Sequence, residues 1–167
     1  MRFRVEQRFD APPAAVEAAL LDPGFLLRLA GLPKLGAPEL LSTEVDGHLV
    51  HQRVRYRFAG DLAPAVTAVI DPERLTWVEE TTYDLVVHCG EHRIIPDHHA
   101  GRLTSSYSTH LTPAGDDPDA TVRTTDGEVK VRFALVGGKV EKAIVSGLIS
   151  HAALEAEVVT GWLAEQG

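Results

Sequence analysis

The chain has 167 residues, of which 44% are apolar and 24% charged, and its formal charge is −8. That length suits one compact domain and is too short for two well-cored ones, and the composition is that of an average globular protein rather than a disordered chain or a fibre. Sixteen Lys and Arg against 24 Asp and Glu argue against generic binding to nucleic acid or to anionic membranes, which needs net basic surface. Cys89 is the sole cysteine, so an internal disulfide and a cysteine zinc finger are excluded.

In chain order, the first element reads as a strand. Phe3, Val5 and Phe9 fall on one parity and Arg2, Arg4, Glu6 and Arg8 on the other, with Gln7 interrupting the apolar set. Asp10-Ala11-Pro12-Pro13 stops this strand and opens a helix over Ala14 to Leu21. Asp22-Pro23 repeats the device, with Asp22 as N-cap and Pro23 in the first turn. A second short helix follows, carrying Phe25, Leu26 and Leu29 and ending near Gly31 and Pro33.

From about Pro38 to Phe133 the pattern is one of strands. His48 to Phe58 alternates, with Val50, Val54, Tyr56 and Phe58 opposite His51, Arg53, Arg55 and Arg57. Further strands are read at Val66 to Ile70, Leu75 to Tyr83, Leu85 to Ile95 and Leu103 to Leu111. The last runs from about Thr121 to Leu135, with a bulge expected at Asp126-Gly127, where the apolar parity switches. Short turns, above all Pro113 to Asp119, imply an antiparallel meander. After Gly137-Gly138 a single helix runs from Lys139 to about Glu165, roughly 40 Å long. Val145, Ile149, Ala152, Ala156, Val159 and Leu163 form its apolar stripe, widened by Val140, Ile144, Leu148, Val158 and Trp162. A helix this apolar must lie along something large, and the sheet is the large partner available.

The order strand, two short helices, antiparallel strands, long helix predicts an α+β fold in which a curved sheet wraps the last helix. The Phe9-Asp10-Ala11-Pro12-Pro13 entry into the helices, with Leu21-Asp22-Pro23 after it, resembles the helix-grip fold of the START-like (SRPBCC) superfamily. That superfamily includes lipid-transfer START domains, the birch-pollen-allergen family and aromatic polyketide cyclases. The run Val131 to Lys142, closed by Trp162-Leu163, resembles an uncharacterised bacterial family of unknown function within it. The resemblance covers nearly the whole chain and implies a cavity for a small hydrophobic molecule, with no catalytic residue carried over. The strands read here number one more than is usual for that superfamily.

Strand parity puts Trp77, Glu79, Cys89, Glu91, Arg93 and Tyr107 on the side of Leu75, Val87, Ile95, Leu103 and Leu111. If that side is concave, Glu79 or Glu91 pairs with Arg93, because isolated buried charges are costly. His151 and Glu155, one helical turn apart, fall among Ile144, Leu148, Val158 and Trp162, where an acid–imidazole pair could orient a ligand or move a proton. The expected ligand-binding set is therefore Tyr56, Trp77, Glu79, Glu91, Arg93, Tyr107, Ile144, Leu148, His151 and Glu155. His88, His92, His98, His99 and His110 are grouped, but their parity points them outward as solvated surface, and no metal or cofactor is expected. His51, Arg53, Arg55 and Arg57 form a solvated basic stripe. Cys89 has no nucleophile context.

Three functions fit this pattern: a carrier of a lipid, aromatic or polyketide-like molecule, a cyclase-like enzyme using His151 with Glu155 or Glu79, and a partner-binding domain with a closed interior. The N-terminus lacks a signal-peptide core and no unbroken apolar run reaches the roughly 20 residues of a membrane span, so a soluble, cytoplasmic protein is expected.

Overall fold

The computed structural model describes residues 1–61, 64–67, 71–98 and 100–166. Among these, seven strands form one antiparallel sheet: β1 (Arg2–Phe9), β2 (Glu39–Asp46), β3 (Leu49–Arg57), β4 (Thr76–Asp84), β5 (Cys89–Pro96), β6 (Leu103–Ala114) and β7 (Asp117–Val131). Their order is β1-β7-β6-β5-β4-β3-β2, so the first strand pairs with the last. The helices are α1 (Pro13–Leu21), α2 (Pro23–Arg28), the short α3 (Pro64–Thr67) and α4 (Gly137–Gln166). This is the helix-grip arrangement: the sheet cups α4, and α1 and α2 follow the first strand.

Local chemistry explains the element boundaries. Pro13 occupies the first turn of α1, and the Asp22 carboxylate caps α2 by accepting from the Gly24 N–H at 2.6 Å. The strand expected over Val66 to Ile70 is not one where it is described: Pro64–Thr67 is a helical turn, and residues 68–70 lie outside the described residues. The alternation read from the sequence bounds no separate strand at β2 (Glu39–Asp46), so the loss of one strand and the gain of another leave seven among the described residues.

Two further expectations fail for instructive reasons. Leu85 to His88 is a turn rather than the start of β5. Asp84 folds back to accept from the Val86 and Val87 N–H groups, and His88 sits at φ +53°, so Val86 and Val87 are left exposed despite their strand propensity. The bulge expected at Asp126-Gly127 is also absent. β7 keeps register there with both neighbours, Gly127 lying between Phe3 and Tyr107. The apparent parity switch arises because the inward positions of this part of β7 hold Thr121, Arg123 and Thr125 instead of apolar residues.

Pairing registers define the concave face. Phe3, Val5, Gln7 and Phe9 share it with Thr121, Arg123, Thr125, Gly127 and Val129, and across the sheet with Tyr107, His92, Glu79 and Val54. The core divides in two. One cluster joins Phe9, Val16, Phe25, Leu26, Val50, Tyr83 and Val159 under α1 and α2. The other joins Val129, Val131, Val140 and Val145 near the start of α4. α4 lies closest to β1, β7 and α1. Its end is anchored by Trp162, edge-on to Phe25 at 6.1 Å and under the Arg28 guanidinium.

Taken alone, α4 is long and apolar enough to cross a bilayer, although His151, Glu155 and Glu157 interrupt its apolar run. In the fold Val145 and Val159 are buried, whereas Ile149, expected in the same stripe, is 46% exposed.

Candidate functional site

Between the two apolar clusters the concave face turns polar. On β4, Glu79 points inward, opposite Val54 on β3 and Ile94 on β5. The Tyr107 hydroxyl donates to Glu79 Oε1 at 2.6 Å, and His92 Nδ1 lies 3.1 Å from the same oxygen. A carboxylate can only accept, so Nδ1 carries the proton facing it, and His92 Nε2 meets the Thr109 hydroxyl at 3.0 Å. The His92 and Tyr107 rings stack at 4.2 Å, nearly parallel. Beside them Tyr56 and Trp77 stack at 5.8 Å. Gly90 makes room for this network: a Cβ there would lie 2.7 Å from the Thr109 hydroxyl and 2.8 Å from His92 Nε2.

Glu79 Oε1 thus has two partners. Oε2 has none among the described residues, yet it is not sealed away, and the Glu79 side chain keeps 18% of its surface. Burial pushes the Glu79 carboxyl up, but the hydrogen bond and charge of His92, the Tyr107 hydroxyl and the nearby His151 outweigh it, and the net shift is downward. Burial pushes Tyr56 and Tyr107 well above the usual tyrosine value, reinforced by the negative charge of Glu79. The polar floor of the site is therefore one carboxylate held charged among neutral phenols.

From the other side, α4 presents Ile144, Leu148, His151 and Glu155. Ile144 and Leu148 pack against the second apolar cluster. His151 Nδ1 is buried and has no hydrogen-bond partner among the described residues. Glu155 pairs with Arg123 on β7, whose Nε donates to Gln7 Oε1 at 2.7 Å, while the Gln7 amide donates to the Ala152 carbonyl of α4. These groups tie the helix to the β1–β7 edge. Here the side chains of Glu79, His92 and Glu155 keep 13–20% of their surface.

The structure brings together Tyr56, Trp77, Glu79, Tyr107, His151 and Glu155 of the expected set. It separates Glu91 and Arg93 from them. Because Tyr83 pairs with Gly90, the four-residue turn shifts β5 by one position, and in a strand one position exchanges faces. Glu91 and Arg93 line shallow grooves on the outer face, and Arg93 pairs with Glu80 at 3.7 Å, not with Glu79. Cys89 and Ile95 move outward with them. The same shift carries His92, expected on the surface, into the centre of the site. Gly90 is the signal that could have found it, since a glycine inside a strand marks a close approach.

Other expected features fall outside the site. Cys89 Sγ lies 2.7 Å from His110 Nδ1 on the outer face, and burial with the charges of Asp84 and Glu91 pushes its thiol up, away from the reactive thiolate. His88 Nδ1 is 2.7 Å from Glu17 of α1. Arg53 and Arg55 pair with acidic groups on the outer face. His99 lies outside the described residues, and among those residues no three His, Cys, Asp or Glu side chains form a metal-binding group.

The comparisons with known proteins agree with this architecture. No curated protein matches the chain. Among solved structures, the chain is similar to TTHA0849 from Thermus thermophilus, with a TM-score of 0.68 at 16% identity, covering 96% of this chain and 98% of that one. It is similar to the Zhui aromatase/cyclase from Streptomyces sp. R1128 (0.66, 17%, covering 99% and 94%). It is also similar to a START superfamily protein from Mycobacterium smegmatis (0.57, 14%, covering 99% of each). At such identities the likeness is one of fold. The model of a protein family of unknown function, DUF2505, matches residues 4–163. With the match spanning nearly all of the sheet and α4, the chain belongs to the DUF2505 family and has the START-like helix-grip fold.

Proposed function

We propose that the protein binds a small, largely apolar molecule between the concave face of the sheet and α4. The carrying observation is the pairing of the Tyr56–Trp77 stack with a carboxylate that has one oxygen satisfied and the other free, under a helix that supplies Leu148 and His151. Enclosed aromatic and aliphatic surface with a few convergent polar groups is the usual form of a small-molecule site. Apolar burial, at about 25 cal/mol per Å2, supplies affinity, and the polar groups select. Similarity of fold to an aromatase/cyclase and to a START superfamily protein supports this reading.

Mass spectrometry of solvent extracts from the purified protein tests it. Recovery of one small apolar compound from wild type and its loss from Leu148→Arg are expected. Absence of any such compound across expression hosts, with no uptake of an anilinonaphthalene dye, would count against it.

A second reading, acid–base catalysis on the bound molecule, rests on the unpartnered His151 nitrogen close to Glu79. In that case His151→Ala abolishes turnover even at ligand concentrations that saturate the variant.

A further inference from the structure

Three polar groups at the centre of the site have unused hydrogen-bonding capacity among the described residues. Glu79 Oε2 has no partner, because both donors that reach this carboxylate meet Oε1. The Tyr56 hydroxyl likewise has none, although its ring is stacked on Trp77. His151 Nδ1, on the facing helix, is buried without a partner. Of these three, His151 Nδ1 is fully buried, and a buried polar atom left unpaired costs stability.

The charges sort the ligands that could complete them. Glu79 is an acceptor, and Tyr107 and His92 already hold it in its ionised state. The Arg123 guanidinium, which could have received an anion, is committed to Gln7 and Glu155 and stacked over Phe9. A carboxylate brought into this space meets the like charge of Glu79. A hydroxyl meets what it needs: its proton goes to Glu79 Oε2, and its oxygen accepts from His151 Nδ1.

We propose that the site selects molecules whose polar end is a neutral hydroxyl, phenolic or alcoholic, and rejects those that end in a carboxylate. This inference rests on the binding reading above and names the class of ligand that reading leaves open.

Three probes of one size separate the two claims: a naphthol, the matching naphthoate and the methyl ether of the naphthol, titrated calorimetrically at neutral pH. Wild type is expected to bind the naphthol roughly 10- to 100-fold more tightly than either of the others, the range of one hydrogen bond to a charged group. Glu79→Gln is expected to bring naphthol and naphthoate to comparable affinity. His151→Ala is expected to weaken the naphthol about tenfold and leave the ether unchanged. Should Glu79→Gln fail to fold, the wild-type ranking and His151→Ala decide the matter alone. Naphthoate or ether binding as tightly as naphthol overturns the selectivity and leaves the binding reading standing. Failure of all three probes to bind overturns both.

Discussion

Arg123 on β7 and Glu155 on α4 form an ion pair inside the fold, the arginine side chain only 7% exposed. Gln7 of β1 joins them by accepting from Arg123 and donating to the α4 backbone. Removing one member of a buried pair strands the other charge, so Arg123→Ala is expected to cost about 3–5 kcal/mol. Arg123→Met with Glu155→Leu removes both charges and should recover most of that loss. Denaturant unfolding of the two single variants and the double variant measures the coupling. Additive losses would show that the pair does not hold the helix.

The three tyrosines of the chain, Tyr56, Tyr83 and Tyr107, all point inward. Burial raises each above its ordinary value of 10, followed by the negative charge of Glu79 for Tyr56 and Tyr107 and of Glu17 for Tyr83. A raised folded pKa means that the folded state keeps the proton when the unfolded state has lost it. The stability so contributed is whole below pH 10 and is lost as pH climbs towards the folded values. Each tyrosine steepens that loss by up to about 1.4 kcal/mol per pH unit. Glu79, lowered from 4.5, acts on the other flank: its contribution is present above that value and fades as pH falls through the folded one. Alkaline titration followed by tyrosinate absorbance should therefore show one cooperative rise, coincident with unfolding by circular dichroism. A tyrosinate signal that develops while the fold is intact would contradict this placement.

Gly127 lies beneath Phe3 and Tyr107, and a Cβ there would come within 2.5 Å of the Phe3 ring and 2.6 Å of Tyr107 Cβ. Tyr107 Cβ is fixed by a paired strand and cannot retreat without breaking register, and the Phe3 ring would have to swing away. Gly127→Ala is expected to destabilise by about 1–3 kcal/mol, as overpacking does. It should also disturb the Tyr107–Glu79 contact and so weaken ligand binding beyond the stability loss. Calorimetric unfolding beside probe titration checks both, and an unperturbed variant would mean the strands have room that the geometry denies.

Much of the fold was legible because its signals are periodic. The alternation in β1 and β3, the two proline-led helices and the long apolar stripe of α4 each follow from burying one face. Legibility failed where a local polar contact overrode periodicity. Asp84 built a turn from Leu85-Val86-Val87-His88, and that single-residue displacement hid His92 and misplaced Glu91 and Arg93. It failed again on β7, where Thr121, Arg123 and Thr125 occupy inward positions that an apolar pattern cannot reveal. Of the site, Tyr56, Trp77, Glu79 and Tyr107 were readable from strands whose alternation is unbroken. The partnership of Glu155 with Arg123 and Gln7 joins three distant segments, and no spacing encodes it.

The pairing of the first strand with the last has a kinetic consequence. Phe3 meets Gly127 and Phe9 meets Thr121, so β1 must wait for most of the polypeptide to be synthesised before its edge is covered. Closing so long a loop puts folding among the slower topologies, on the millisecond-to-second scale. Until then the nascent chain carries an unpaired apolar ribbon, and the cradle for α4 does not exist.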